Sequence, residues 1–212
     1  MSTTTDKQTQ KNWNYYLLLE QKFLETRNYV EFREENSNTS SNGFGLLIMA
    51  IGAELDNFLK DFCEIPDNER KESNMGKYKD YLIKNYSEIK QETITVLDSE
   101  MNNLSPFENL EDGTLSWWKA YNNVKHDRNT HFLDANLTNT ITILSALYLL
   151  EMKMFKKNYE AATDKEKIWD CPLNKSKLFT LKNWEFKCTS GSDLVVVKTG
   201  TANVSSAVPT KQ

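Results

Sequence analysis

The sequence predicts a mainly α protein that closes with a small C-terminal β-hairpin. Three observations carry this. Apolar residues recur at threes and fours on both sides of a turn-rich break, ENSNTSSNG (Glu35–Gly43). A later run, ITILSALYLL (Ile141–Leu150), is apolar on more than one helical face. Beyond Asp164 the chain changes to alternating, β-branched segments.

Taken in order, residues 1–12 are polar and expected to be disordered. From Trp13 to about Arg33 the positions Tyr16, Leu17, Leu19, Phe23, Leu24, Tyr29, Val30 and Phe32 keep the helical period and predict a long first helix. After the break, Ser41 or Asn42 is placed to cap a second helix that runs to about Phe62. IPDNERKESN (Ile65–Asn74) reads as a polar connection, GKYKDYLIKNY (Gly76–Tyr86) as a short helix and ETITVL (Glu92–Leu97) as a short strand or extended cover. SPFENLEDGT (Ser105–Thr114) is a loop in which Asp112 or Thr114 is expected to cap the next helix.

A final helix is expected from about Phe132 to Lys157. Leu133, Leu137, Ile141 and Leu144 form one stripe and Ile143, Leu147, Leu150 and Met154 another, the pattern of a helix that is central or lies in a subunit interface. KLFTLKNWEFKC and DLVVVKTG, joined by TSGSD, predict a hairpin over Lys177–Lys198. Its residues Leu178, Trp184, Phe186, Leu194 and Val196 are expected to bury one face, since an isolated hairpin is marginal in water. The organisation is thus a helical domain over 13–163, a hairpin appendage over 164–200 and a flexible tail over 201–212.

Composition narrows the function classes. With 39% apolar and 26% charged residues the chain is an ordinary globular one, long enough at 212 residues for one sizeable core. A net charge of -4 gives no long-range field toward nucleic acid, so any such contact rests on a local basic patch. The longest apolar runs are about half of the ~20 residues a bilayer-spanning helix needs, and no secretory signal opens the chain, so no membrane is expected and the location is read as cytoplasmic. Cys63, Cys171 and Cys188 are odd in number and lack CxxC spacing, so neither a disulfide framework nor a metal site is expected, and no cofactor is called for.

The chemistry concentrates in WWKAYNNVKHDR (Trp117–Arg128). On a helix Trp117, Tyr121 and Val124 share one face, and Trp118, Asn122, Lys125 and His126 the next. Imidazole exchanges protons near neutral pH, and Lys125 and Arg128 would offset negative charge on a phosphate. That set suits RNA cleavage, with His126 as acid/base. The same run also reads as a solvated polar face. Trp118 is open enough to stack a base. Glu54, within an apolar helix stretch, needs a partner there. It either orients His126 or a cation of the site, or pairs structurally with Lys125, Arg128 or a tyrosine hydroxyl.

The long first helix, a second helix reading FGLLIMAIGAELDNFLKDF with Glu54 and Lys60, and a histidine helix followed by an apolar one resemble the HEPN domain, the higher-eukaryote and prokaryote nucleotide-binding fold. The resemblance covers roughly 13–157. It implies an up-and-down helical bundle, a homodimer, and a place among RNA-cleaving toxin–antitoxin and phage-defence proteins. The family signature is an arginine, commonly a polar residue after it, and a histidine four to six residues beyond. In Tyr121-Asn-Asn-Val-Lys-His126 the histidine and polar positions are His126 and Asn122, while Tyr121 stands where the family has arginine.

Three readings follow. One is a HEPN-like module of a defence or toxin–antitoxin system that binds RNA, a nucleotide or a partner protein such as an antitoxin. Another is a metal-independent endoribonuclease with His126 and Arg128 catalytic and Asn122, Lys125, Tyr121, Glu54 and Trp118 holding substrate. The third is a purely structural helical interaction protein.

Overall fold

The computed structural model describes residues 4–113, 115–161, 175–181, 185–190 and 193–198. The protein is mainly helical, with small antiparallel β pairings. The first helix, α1 (Thr4–Glu25), begins well before Trp13. Of the segment expected to be disordered, residues 4–12 are therefore helical, and Thr9 is buried where its Oγ1 accepts from Asn158 Nδ2 at 2.8 Å. The helix also ends earlier than its apolar period suggests. Thr26 Oγ1 donates back to the Phe23 carbonyl at 2.6 Å, and a 3-10 turn over Thr26–Asn28 follows. The chain then folds back, so that Phe32 reaches the core against Phe23, with ring centroids 4.7 Å apart.

Helix α2 (Asn42–Phe62) is capped by Ser41, whose Oγ accepts from the Phe44 amide at 3.1 Å. A 3-10 turn at Asp67–Glu72 leads to α3 (Met75–Asn85), capped by Asn74. Strand β1 (Ile94–Val96) follows. The next helix, α4 (Ser116–Asp127), starts from Leu115 without a side-chain cap, so Asp112 does not serve as one; Thr114 lies outside the described residues. What anchors its start is Trp117, whose Nε1 donates to the Pro106 carbonyl at 2.7 Å.

The final helix, α5 (Leu137–Ala161), begins later than expected, because Phe132–Asp134 forms a separate 3-10 turn that leaves Leu133 75% exposed. The rest of both predicted stripes is buried, with Met154 half-buried. Helices α1, α2 and α4 all pack on α5, so its apolar faces are covered within one chain. α2 and α5 start together, where the Ser41 amide donates to the Ala135 carbonyl, and end together, where Lys157 meets Glu64 at 2.6 Å. α1 runs the other way: Phe23 packs on Phe44 at its end, while Trp13 packs on Tyr148 and Phe155 near its start.

Two strands close the core. β2 (Phe179–Leu181) pairs antiparallel with β1, Ile94 opposite Leu181 and Val96 opposite Phe179. Leu178, Phe179 and Leu181 are buried, so this part of the expected appendage belongs to the core, and β2 pairs with β1 instead of opening the hairpin. The hairpin itself is β3 (Glu185–Ser190) with β4 (Asp193–Lys198), in a register that closes at Ser190 opposite Asp193. Phe186 pairs with Val197 and Thr189 with Leu194, which sets positions 194 and 196 on the other side of the ribbon from 186. They therefore do not form one face with it, contrary to the sequence expectation. Trp184 and the tail over 201–212 lie outside the described residues.

Two buried charges tie these pieces to the helices. Glu20 of α1 is 2% exposed, and accepts from Tyr16 Oη at 2.6 Å, the Lys177 amide at 2.8 Å and Ser176 Oγ. Lys153 of α5 donates to Glu88 at 2.9 Å and Glu92 at 3.1 Å, fixing the 3-10 turn Ser87–Gln91 and the approach to β1. Replacing Glu20 with alanine strands several buried donors and should cost about 1–3 kcal/mol in chemical denaturation. Amide exchange at 177–181 should accelerate more than in the helices; uniform acceleration would show that Glu20 does not act as the tether of that segment.

Candidate functional site

The exposed end of α4 carries the residues singled out by the sequence, and its buried side explains how they are presented. Tyr121 is 4% exposed, and its ring fills the space beside Gly52 of α2. A Cβ at position 52 would lie 2.2 Å from Tyr121 Cδ2, so only glycine allows α4 to approach this closely. Trp118, half-buried, leans on Tyr121 at 5.3 Å and meets Trp117 edge-on at 6.0 Å. Lys125 places its ammonium over the Tyr121 ring, 5.4 Å from the centroid.

Beyond this aromatic base the polar side chains diverge. Asn122 donates to the Trp118 carbonyl of its own helix at 2.9 Å. His126 is exposed and makes no hydrogen bond or ion pair with a described residue. Asp127 does not orient it: this carboxylate accepts from Thr130 Oγ1 at 2.7 Å and the Thr130 amide at 3.2 Å, bonds that hold it below the usual carboxylate range. Arg128 reaches across to α2, its Nη1 donating to Asn42 Oδ1 at 3.4 Å. It therefore stands at the first turn of α2, where orphaned amides form the positive end of the helix dipole. Cations are ordinarily unfavourable there, so the pairing leaves an unbalanced positive corner.

Glu54 is not part of this corner. Gly52 faces Tyr121, and two residues further on, ~200° around the helix, Glu54 points to the other side of α2. Among the described residues it bonds neither His126, Lys125, Arg128 nor a tyrosine hydroxyl, so neither sequence reading of it holds. Burial, and then the charge of Asp61, raise its carboxyl above the usual range. Lys60 is likewise occupied elsewhere, paired with Asp56 at 2.5 Å.

Comparison with protein-family models, curated proteins and solved structures finds no match. Function therefore rests on the geometry of the α4 terminus.

The structure adds residues that sequence reasoning passed over. His131 Nδ1 lies 3.6 Å from Asp134 Oδ2, an oxygen that accepts from Asn123 Nδ2 at 2.7 Å. Asn42 and Gly52 supply the α2 side. Gly52 interrupts the apolar run GFGLLIMAIGA, which was a legible sign of close helix approach; nothing in the sequence marks Asn42 as the partner of Arg128. Among the described residues no cluster of three or more histidine, cysteine or acidic side chains could hold a metal, and burial pushes the Cys63 thiol up to about 12, away from thiolate chemistry.

Gly52→Ala should force the Tyr121 ring aside and destabilise the protein by roughly 1–3 kcal/mol. Tyr121→Ala should remove most of that penalty when the two are combined, a coupling readable in a double-mutant cycle. Additive losses would show that the two positions are not in contact.

Proposed function

We propose that the chain is a HEPN-like protein that binds RNA or nucleotide phosphates at the end of α4, through Lys125, Arg128 and the first turn of α2. The observation that carries this reading is the exposed basic corner: no described carboxylate pairs with Lys125 or Arg128, and Arg128 already stands at the positive end of α2. In a chain of net charge -4 this is a local site and not a general basic surface. Trp118 beside it adds a partly open aromatic face for a base. Support for the HEPN-like reading comes from a mainly helical chain in which the histidine helix leads by a short turn into the buried final helix.

Binding is favoured over cleavage because the family's arginine position holds Tyr121. A tyrosine supplies no permanent charge and no forked donors, and this one is buried against Gly52. One observation favours the alternative, a metal-independent endoribonuclease. His126 is exposed, with Arg128 two residues away, so its imidazole is accessible to take a 2′-hydroxyl proton. The proposed setting is a cytoplasmic defence or toxin–antitoxin system with a second copy of the chain, or an antitoxin, as protein partner.

Binding to a short single-stranded RNA should be measurable at low salt and fall steeply between 50 and 200 mM salt, on the order of the counterion-release slope. Lys125→Ala and Arg128→Ala should each weaken it and flatten that slope by about one phosphate contact, while His126→Ala leaves affinity nearly unchanged. No binding by the wild type, or binding indifferent to both substitutions, would end this reading. RNA cleavage by the wild type that His126→Ala abolishes would establish the enzyme instead.

The homodimer has a separate test. Since α5 is covered within the chain, a second copy would have to seat elsewhere, and Leu46 and Leu133 are 72% and 75% exposed near the shared starts of α2 and α5. If they lie in the interface, sedimentation should show a dimer that Leu46→Glu with Leu133→Glu converts to monomer; a monomeric wild type at micromolar concentration would remove it.

A further inference from the structure

Six polar or charged residues are buried among the described residues, and five of them are satisfied. Thr9 accepts from Asn158; Thr140 and Ser145 donate to carbonyls of Asn136 and Thr142; Glu20 and Lys153 are held as described above. The exception is Glu151, in the middle of α5. It is 0% exposed, and neither carboxyl oxygen has a hydrogen-bond partner among the described residues. A carboxylate that exchanges water for nothing is so unfavourable that the group neutralises.

Among the described residues its neighbours offer no cation. Tyr148 and Phe155, one turn before and after it, pack on Trp13 of α1. The titratable groups of α1 near this level, Tyr16 and Glu20, are tied to one another, and Tyr121 of α4 packs on Gly52. On α5 itself Lys153 is committed to Glu88 and Glu92, and β2 brings no titratable side chain. The charge that acts on Glu151 comes from α2. It is Glu54, a like charge, itself half-buried and acted on by Asp61.

We propose that Glu151 holds a proton in the folded protein and is a proton-sensitive point in the packing of α5, which loosens as pH rises. Both carboxyls are shifted in the same direction: Glu151 well upward, by burial first and then by Glu54, and Glu54 upward by burial first and then by Asp61. A carboxyl whose folded pKa exceeds its unfolded one contributes stability that is complete below the ordinary glutamate range and is lost as pH rises through the folded value. Glu64, bonded to Lys157, and Asp127, bonded to Thr130, are shifted downward and act in the opposite sense, losing stability as pH falls.

The test is the melting temperature of the full chain from pH 5 to 8.5, for wild type, Glu151→Gln and Glu54→Gln. Glutamine cannot ionise, so Glu151→Gln should melt higher than wild type above neutrality, with the difference shrinking toward pH 5. Glu54→Gln should reduce the wild-type loss on the alkaline side without removing it. Carboxyl-carbon NMR of labelled glutamate provides the independent readout, in which the resonance lost in Glu151→Gln should titrate above every other glutamate. Glu151→Gln melting at or below wild type throughout, or a Glu151 resonance titrating in the ordinary carboxylate range, overturns the proposal.

Discussion

A helix that is apolar almost all the way round has to be surrounded, and the rest of this protein is arranged around that requirement of α5. One neighbour covers one stripe; α5 needs α1, α2 and α4 at once, and the small β1–β2 pairing closes what they leave. Residues far apart in sequence are thereby fixed in space. The start of α2 lies beside the start of α5, and the end of α4, which leads into α5 by a short turn, is delivered to the same place. The basic corner exists because three helix termini meet there.

The same requirement makes α4 sensitive to a single glycine. Its inner face is aromatic, and aromatic rings hold helices apart unless the opposing surface gives way. Gly52 gives way, so Tyr121 is accommodated and Trp118 and Lys125 stack outward from it. Position 121 is thus spent on packing, and this gives a physical reason for its being a tyrosine: a guanidinium aimed at Gly52 would be buried without partners.

Helix existence was legible wherever periodicity and capping agreed. Asn42–Phe62 came out with its cap, and Ile94–Val96 lay within the expected strand, because both are determined by local residue chemistry. Boundaries failed where tertiary contacts decided. The period through Tyr29, Val30 and Phe32 is produced by a chain that turns back onto Phe23, and not by a continuing helix. The polar start of α1 is helical, and the residue it buries, Thr9, is answered by Asn158, a partner nearly the full length of the domain away. Segment 177–181 looked like half of a hairpin because alternation is the same whichever strand is the partner. In the site, the exposure of Lys125 and His126 followed from the helical face, whereas the position of Glu54 did not. A two-residue step from Gly52 reverses its direction, and its dependence on that contact could not be read before the contact was known.

Glu20, Lys153 and Glu151 show why burial alone says little about a charged residue. All three sit in the same core, yet each is reconciled with it differently. Glu20 stays tied down by hydroxyl and amide donors that arrive with a distant segment, so its charge becomes a means of attaching that segment. Lys153 is matched by two carboxylates from the edge of the fold and serves the same end with opposite sign. Among the described residues Glu151 has neither donors nor a countercharge, and the charge of Glu54 repels it. Two of these residues bind parts of the chain to the bundle. The third is left with a proton as its partner, and a proton, unlike a segment of chain, comes and goes with the medium.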